Sequence, residues 1–98
     1  MNKLNSGLFR LRNISSNLCL DTDGLRTNGA QVRTWKCANH PHQLWEITRL
    51  PPDSYRLKNK ASGFCLDTDG SALNGAQVRM WECVSHPHQS WKRSAWID

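Results

Sequence analysis

Cys19, Asp21, Arg33, Trp35, Cys37, His40, His42 and Gln43 carry the side chains of this chain best suited to chemistry. Cys65, Asp67, Arg79, Trp81, Cys83, His86, His88 and Gln89 restate them 46 positions later. An indole offers apolar area to the C–H face of a sugar ring, and a neighbouring carboxylate accepts charge-assisted hydrogen bonds from adjacent hydroxyls. Such a pairing suits saccharide recognition. Each charge-assisted bond contributes about 1.5–3 kcal/mol net, so one site binds weakly and two gain by acting together.

Other chemistries use the same letters. Cys19, Cys37, His40 and His42, repeated as Cys65, Cys83, His86 and His88, are four-ligand zinc sets by type, but zinc requires deprotonated thiolates and the cysteines have a simpler use as disulfides. Asp21 and Asp23 supply too few oxygens for calcium. Neither a metal nor any other cofactor is expected. A glycosidase needs two carboxyls about 5–9 Å apart across one bond, whereas Asp21 and Asp23 share one strand end, and Glu46 and Glu82 do not recur between the copies. No nucleophile stands beside a base, so the chain reads as a binder and not an enzyme.

The elements that must position these residues follow from the duplication. Phe9 to Thr48 aligns with Tyr55 to Ser94, and 23 of the 40 positions are identical. The shared frame is RL-x-N, CLDTDG, NGAQVR-x-W-x-C and HPHQ-x-W. Phe9 and Leu11 alternate with Arg10 and Arg12, as Tyr55 and Leu57 do with Arg56 and Lys58, which predicts a half-buried strand opening each copy. Runs at 18–21, 31–37 and 44–48 are broken by Asp23-Gly24, Asn28-Gly29 and Pro41 at the spacing of an all-β domain. Asp23 and Asp69 read as turn residues.

Four cysteines spaced 18 apart within each copy favour the disulfides Cys19–Cys37 and Cys65–Cys83 and an oxidising, secreted or extracellular setting. Residues 1–7 carry a charge but no following hydrophobic core, so they are not expected to act as a signal peptide. If Cys19 faces Cys37 directly across an antiparallel hairpin, with Cβ atoms about 4 Å apart, Asp21 falls opposite Trp35, and Asp67 opposite Trp81.

The net charge of +5 over 98 residues is spread along the chain, which fits a solvated surface and gives no nucleic-acid motif or basic cluster. No apolar run is long enough to span a membrane. The length suits one domain, 1–98, made of repeats at about 8–50 and 54–98.

The order CLD, W-x-C, Q-x-W resembles the ricin-type β-trefoil lectin repeat, in both copies. The resemblance implies a non-catalytic glycan-binding module, often for galactose or N-acetylgalactosamine. By motif position Asp21 and Asp67 accept sugar hydroxyls, and Trp35 and Trp81 are stacking platforms. Gln43 and Gln89 fix the loop, and Trp45 and Trp91 point to the core. His42 and His88 stand where the family has Asn, which puts galactose preference in question and allows pH-dependent affinity. Arg33 and Arg79 stand where it often has Gln; a guanidinium there either favours an anionic or multiply hydroxylated glycan or pairs with the aspartate and holds it.

A trefoil needs three repeats, and this chain has two. Open strand edges would remain, so completion by self-association into a homo-oligomer is the expected solution, with Trp96 and Ile97 as candidate interface residues. The competing reading is a protein-interaction or structural module, stabilised by zinc or disulfides, that has kept the fold without a sugar site.

Overall fold

In the computed structural model the described residues are 2–3, 7–68, 70 and 74–92. Asp69, Trp96 and Ile97, given turn and interface roles by the sequence, lie outside them. The strands are β1 (Asn2–Lys3), β2 (Phe9–Arg10), β3 (Cys19–Asp21), β4 (Arg33–Trp35), β5 (Trp45–Leu50), β6 (Ser54–Asn59), β7 (Cys65–Asp67), β8 (Arg79–Trp81) and β9 (Trp91–Lys92). Each copy also has one 3-10 turn, Pro41–Gln43 or Pro87–Gln89. No α-helix occurs among the described residues.

The first and last strands of each copy build one continuous sheet, with β2 on β5, β5 on β6 and β6 on β9, all antiparallel. The longest ladder joins the copies, running from Trp45↔Asn59 to Leu50↔Ser54. The middle strands form the hairpins β3–β4 and β7–β8. This is the two-plus-two plan of trefoil repeats, read twice. Trp45 and Met80 are completely buried, Ala30 and Leu66 nearly so, and Leu11, Leu20, Val32, Leu57, Phe64 and Trp91 pack around them. Burying one side chain of this size contributes about 2–3 kcal/mol.

The two copies are not equivalent in their surroundings. The turn of the first copy lies along β8 of the second: Gly29 N–H donates to the Met80 carbonyl at 2.8 Å, Met80 N–H to the Ala30 carbonyl at 2.8 Å, and Glu82 N–H to Asn28 Oδ1 at 2.8 Å. Gly29 has φ +87°, and a side chain on it would stand 3.9 Å from the Trp81 ring. That conformation favours glycine. Nothing among the described residues lies against the matching edge of β4, so Thr34 is exposed where Met80 is buried, and Ala76 is exposed where Ala30 is buried.

The hairpin register corrects the sequence-based one. Cys19 pairs with Trp35 and Asp21 with Arg33; Cys65 pairs with Trp81 and Asp67 with Arg79. Both expected disulfides form, with Cα atoms 5.1 Å apart, but Cys37 and Cys83 lie two residues beyond the ends of β4 and β8. The bridge therefore reaches back diagonally instead of straight across. Asp21 and Trp35 still share a face, as diagonal and not opposite neighbours.

Candidate functional site

Each site forms where a hairpin meets the 3-10 turn of its own copy. Pro41 starts the turn, whose first position tolerates a missing N–H. His40 caps it, Nδ1 accepting the His42 N–H at 3.4 Å, and the two imidazoles lie 4.0 Å apart. Gln43, 1% exposed, emerges from the turn into the space below the hairpin. Its Oε1 accepts the Ala38 N–H at 2.8 Å, and its Nε2 donates to the Lys36 carbonyl at 2.8 Å and to Asp21 Oδ2 at 3.0 Å. Gln89 does the same for Val84, Glu82 and Asp67. Loop fixing is thus their observed geometry. Trp45 and Trp91 turn inward and donate from Nε1 to the Leu20 and Leu66 carbonyls.

Asp21 is 2% exposed and much of its acceptor capacity is used. Oδ1 takes the Asp23 N–H at 2.7 Å and Arg33 Nε at 3.0 Å, and Oδ2 takes Gln43. A carboxylate has about four acceptor directions, so about one is left for a ligand. Burial, the largest influence, works to raise the Asp21 pKa, but the Asp23 N–H, the Gln43 amide and the Arg33 guanidinium together hold it below its ordinary value. Asp67 meets Arg79 and Gln89 at 3.0 Å each.

Arg33 links the whole group. Its Nη2 reaches Asp23 Oδ1 at 3.2 Å, and its guanidinium lies over the Trp35 ring, 4.0 Å from the centroid. Arg79 lies over Trp81 at 4.1 Å. Of the two sequence readings of these arginines, the one in which they pair with the aspartate matches the geometry. With Asp21 and Asp23 on one guanidinium, the first site carries more negative than positive charge. That does not attract anions. Trp35 nevertheless remains 53% exposed, whereas Trp81 is half-buried beside the first copy's turn. His42 completes the rim: a side chain on Gly24, whose φ is +77°, would run into its imidazole, and Gly70 stands in the same relation to His88.

The structure therefore brings together Asp21, Arg33, Trp35, His42 and Gln43, and again Asp67, Arg79, Trp81, His88 and Gln89. Sequence reasoning assigned Asp23 to the turn alone, although it also holds the Arg33 fork. Its repetition as Asp69 was the available signal. The disulfides consume the cysteine thiolates that the zinc reading required, and no cluster of three or more His, Cys, Asp or Glu suited to a metal occurs among the described residues.

A family model described as ricin-type beta-trefoil lectin domain-like matches residues 2–81 and 51–96. No curated protein matches the chain in sequence. Among solved structures, the designed three-fold symmetric protein ThreeFoil superposes with a TM-score of 0.88 at 26% identity, over 93% of this chain and 66% of its own. The exo-beta-1,3-galactanase 1,3Gal43A of Clostridium thermocellum gives 0.87 at 20% identity, over 93% of this chain and 20% of its own. A Polyporus squamosus lectin, bound to Neu5Aca2-6Galb1-4GlcNAc, gives 0.74 at 20% identity, over 88% of this chain and 31% of its own. The chain thus spans just under two thirds of the three-fold design, as two repeats of three would.

Proposed function

Because the chain belongs to the ricin-type β-trefoil lectin-like family, we propose that it is a non-catalytic glycan-binding protein with one weak site in each copy. The observation that carries this reading is Trp35, a large apolar ring left 53% exposed and braced by Arg33 next to an ordered carboxylate. Exposing an indole this way forgoes its burial energy, a cost expected of a contact surface. In this reading the Trp35 ring stacks on the sugar, and the Arg33 tip, Asp23 and His42 meet its hydroxyls. Asp21 gives its remaining acceptor direction and, with Gln43, holds the others in place. The second site uses Asp67, Arg79, Trp81, His88 and Gln89 likewise. Galactose and N-acetylgalactosamine are favoured by family alone. Two disulfides favour an extracellular setting. No helix among the described residues is long and apolar enough to cross a membrane.

A glycan array tests this with wild type beside Trp35→Ala/Trp81→Ala. The tryptophans suit the test better than the buried aspartates, whose removal would disturb the fold as well as the site. Binding by wild type and its loss in the folded double variant is the expected result. An array on which wild type binds no glycan would instead favour the protein-interaction reading.

We further propose that the chain self-associates. Asn74–Gln77 repeats the Asn28–Gln31 sequence but lies exposed, while the uncovered edge of β4 repeats the edge of β8 that Asn28–Gln31 covers. A donor and an acceptor of one kind are both left open, the condition for heterologous pairing between copies. Light scattering at micromolar concentration should give a mass above 11.2 kDa; a monomer mass would refute this.

A further inference from the structure

A second place on the surface, beside Gln89 of the second site, has an arginine with no counter-charge among the described residues. In the first copy, Arg10 Nη2 donates to Asn39 Oδ1 at 2.9 Å. The corresponding residues of the second copy are Arg56 and Ser85. Serine is too short to replace the amide, and the Arg56 side chain makes no hydrogen bond or ion pair among the described residues; its Nε, like that of Arg10, is buried without a partner. Between the two residues lies a cavity of about 290 Å³, lined also by Leu50, Val84, His86, Gln89 and Ser90 and, among the described residues, by no carboxylate. This is near the lower end of the roughly 300–1,000 Å³ of small-molecule sites, a size suited to a single sugar residue.

Arginine presents five N–H donors in a fixed fork that matches carboxylates and sulfates. Leaving them unsatisfied in a partly dry setting costs stability, and the first copy meets part of that cost with one amide on Arg10 Nη2, its Nε being as unpartnered as that of Arg56. We propose that the Arg56 cavity binds the carboxylate or sulfate of an acidic sugar residue. The guanidinium forks the oxyanion, the Ser85 and Ser90 hydroxyls and His86 offer further polar contacts, and Leu50 and Val84 face the ring's apolar side. Arg33 does not compete for this role, because Asp21 and Asp23 already neutralise it. The proposal extends the glycan reading to an additional subsite and adds charge selectivity to it.

The test is an NMR titration of the intact chain with glucuronate, with glucose as the neutral counterpart, and with inorganic sulfate. Glucuronate should shift the Arg56 Nε–H and the amides of residues 84–90 in the millimolar range, while glucose leaves them in place. Ser85→Asn should rebuild the Arg10–Asn39 bond in the second copy, fill the cavity and abolish the shifts without loss of fold; Arg56→Gln should abolish them too. Shifts that persist in Ser85→Asn, an equal response to glucose, or no response to glucuronate would overturn the proposal. Equal binding of inorganic sulfate would overturn its acidic-sugar assignment. The Trp35 and Trp81 indole resonances, read in the same spectra, report the two Asp–Trp sites separately; shifts at residues 84–90 with the Trp81 indole unmoved belong to the Arg56 cavity, so failure here is distinguishable from failure of the glycan reading.

Discussion

Asp21 is the residue on which both the hairpin and the site depend, since it receives donors from Asp23, Arg33 and Gln43 at once. Replacing the carboxylate with an amide of the same shape leaves at least one of those donors facing another donor. Asp21→Asn should therefore cost about 2 kcal/mol in urea unfolding at neutral pH. The lowered pKa also sets a pH dependence. As pH falls, the unfolded chain takes up the proton first, so this share of stability is complete above about pH 4, the ordinary Asp value, and is gone below the folded pKa. Wild type should lose stability through that window, and Asp21→Asn should show a shallower slope; equal slopes would remove Asp21 from the account. That this aspartate shares a face with Trp35 was legible from the repeated motif. Its burial was not, because nothing in the letters says that Arg33, Asp23 and Gln43 all converge on one carboxylate.

At the scale of the element, the hairpins show what spacing does and does not fix. The cysteine pairs were legible, since equal spacings in two copies leave few alternatives. The register was not: a disulfide is compatible with a direct or a diagonal partner, and the choice was made by strand ends, with β4 stopping at Trp35 before Cys37. That places Arg33 opposite Asp21, where it braces the aspartate and the indole in addition to its proposed contact with the sugar. Each bridge closes a loop of 18 residues around its site, which in the chain-entropy account is worth about 3 kcal/mol. Cys19→Ser/Cys37→Ser should lower the unfolding free energy by about that amount and weaken binding at the first site more than at the second. Unchanged stability in this variant would mean that the hairpin is held by its ladder and its Gln43 contacts alone.

Across the whole molecule, identical letters meet different neighbours. Ala30 and Ala76 share one motif, as do the edges bearing Met80 and Thr34, yet among the described residues only the first copy's turn finds a following repeat to cover. A sequence alignment of the copies cannot show this, because the difference lies in what comes next in space. Met80→Ala should cost about 2–4 kcal/mol, while Thr34→Ala should stay within about 0.5 kcal/mol in thermal or urea unfolding at dilutions where the copies are apart; comparable losses there would indicate that the β4 edge is covered within the chain. Trp35 and Trp81 inherit the same asymmetry, the first open and the second beside the Asn28–Gly29 turn, so the two sites should differ in affinity while both binding. Calorimetric titration with a neutral glycan that the chain binds, which leaves the Arg56 cavity out of the count, tests that central claim most directly. Two sites per chain are expected for wild type, one for either Trp35→Ala or Trp81→Ala, and none for the double variant; binding that survives in the folded double variant would contradict this.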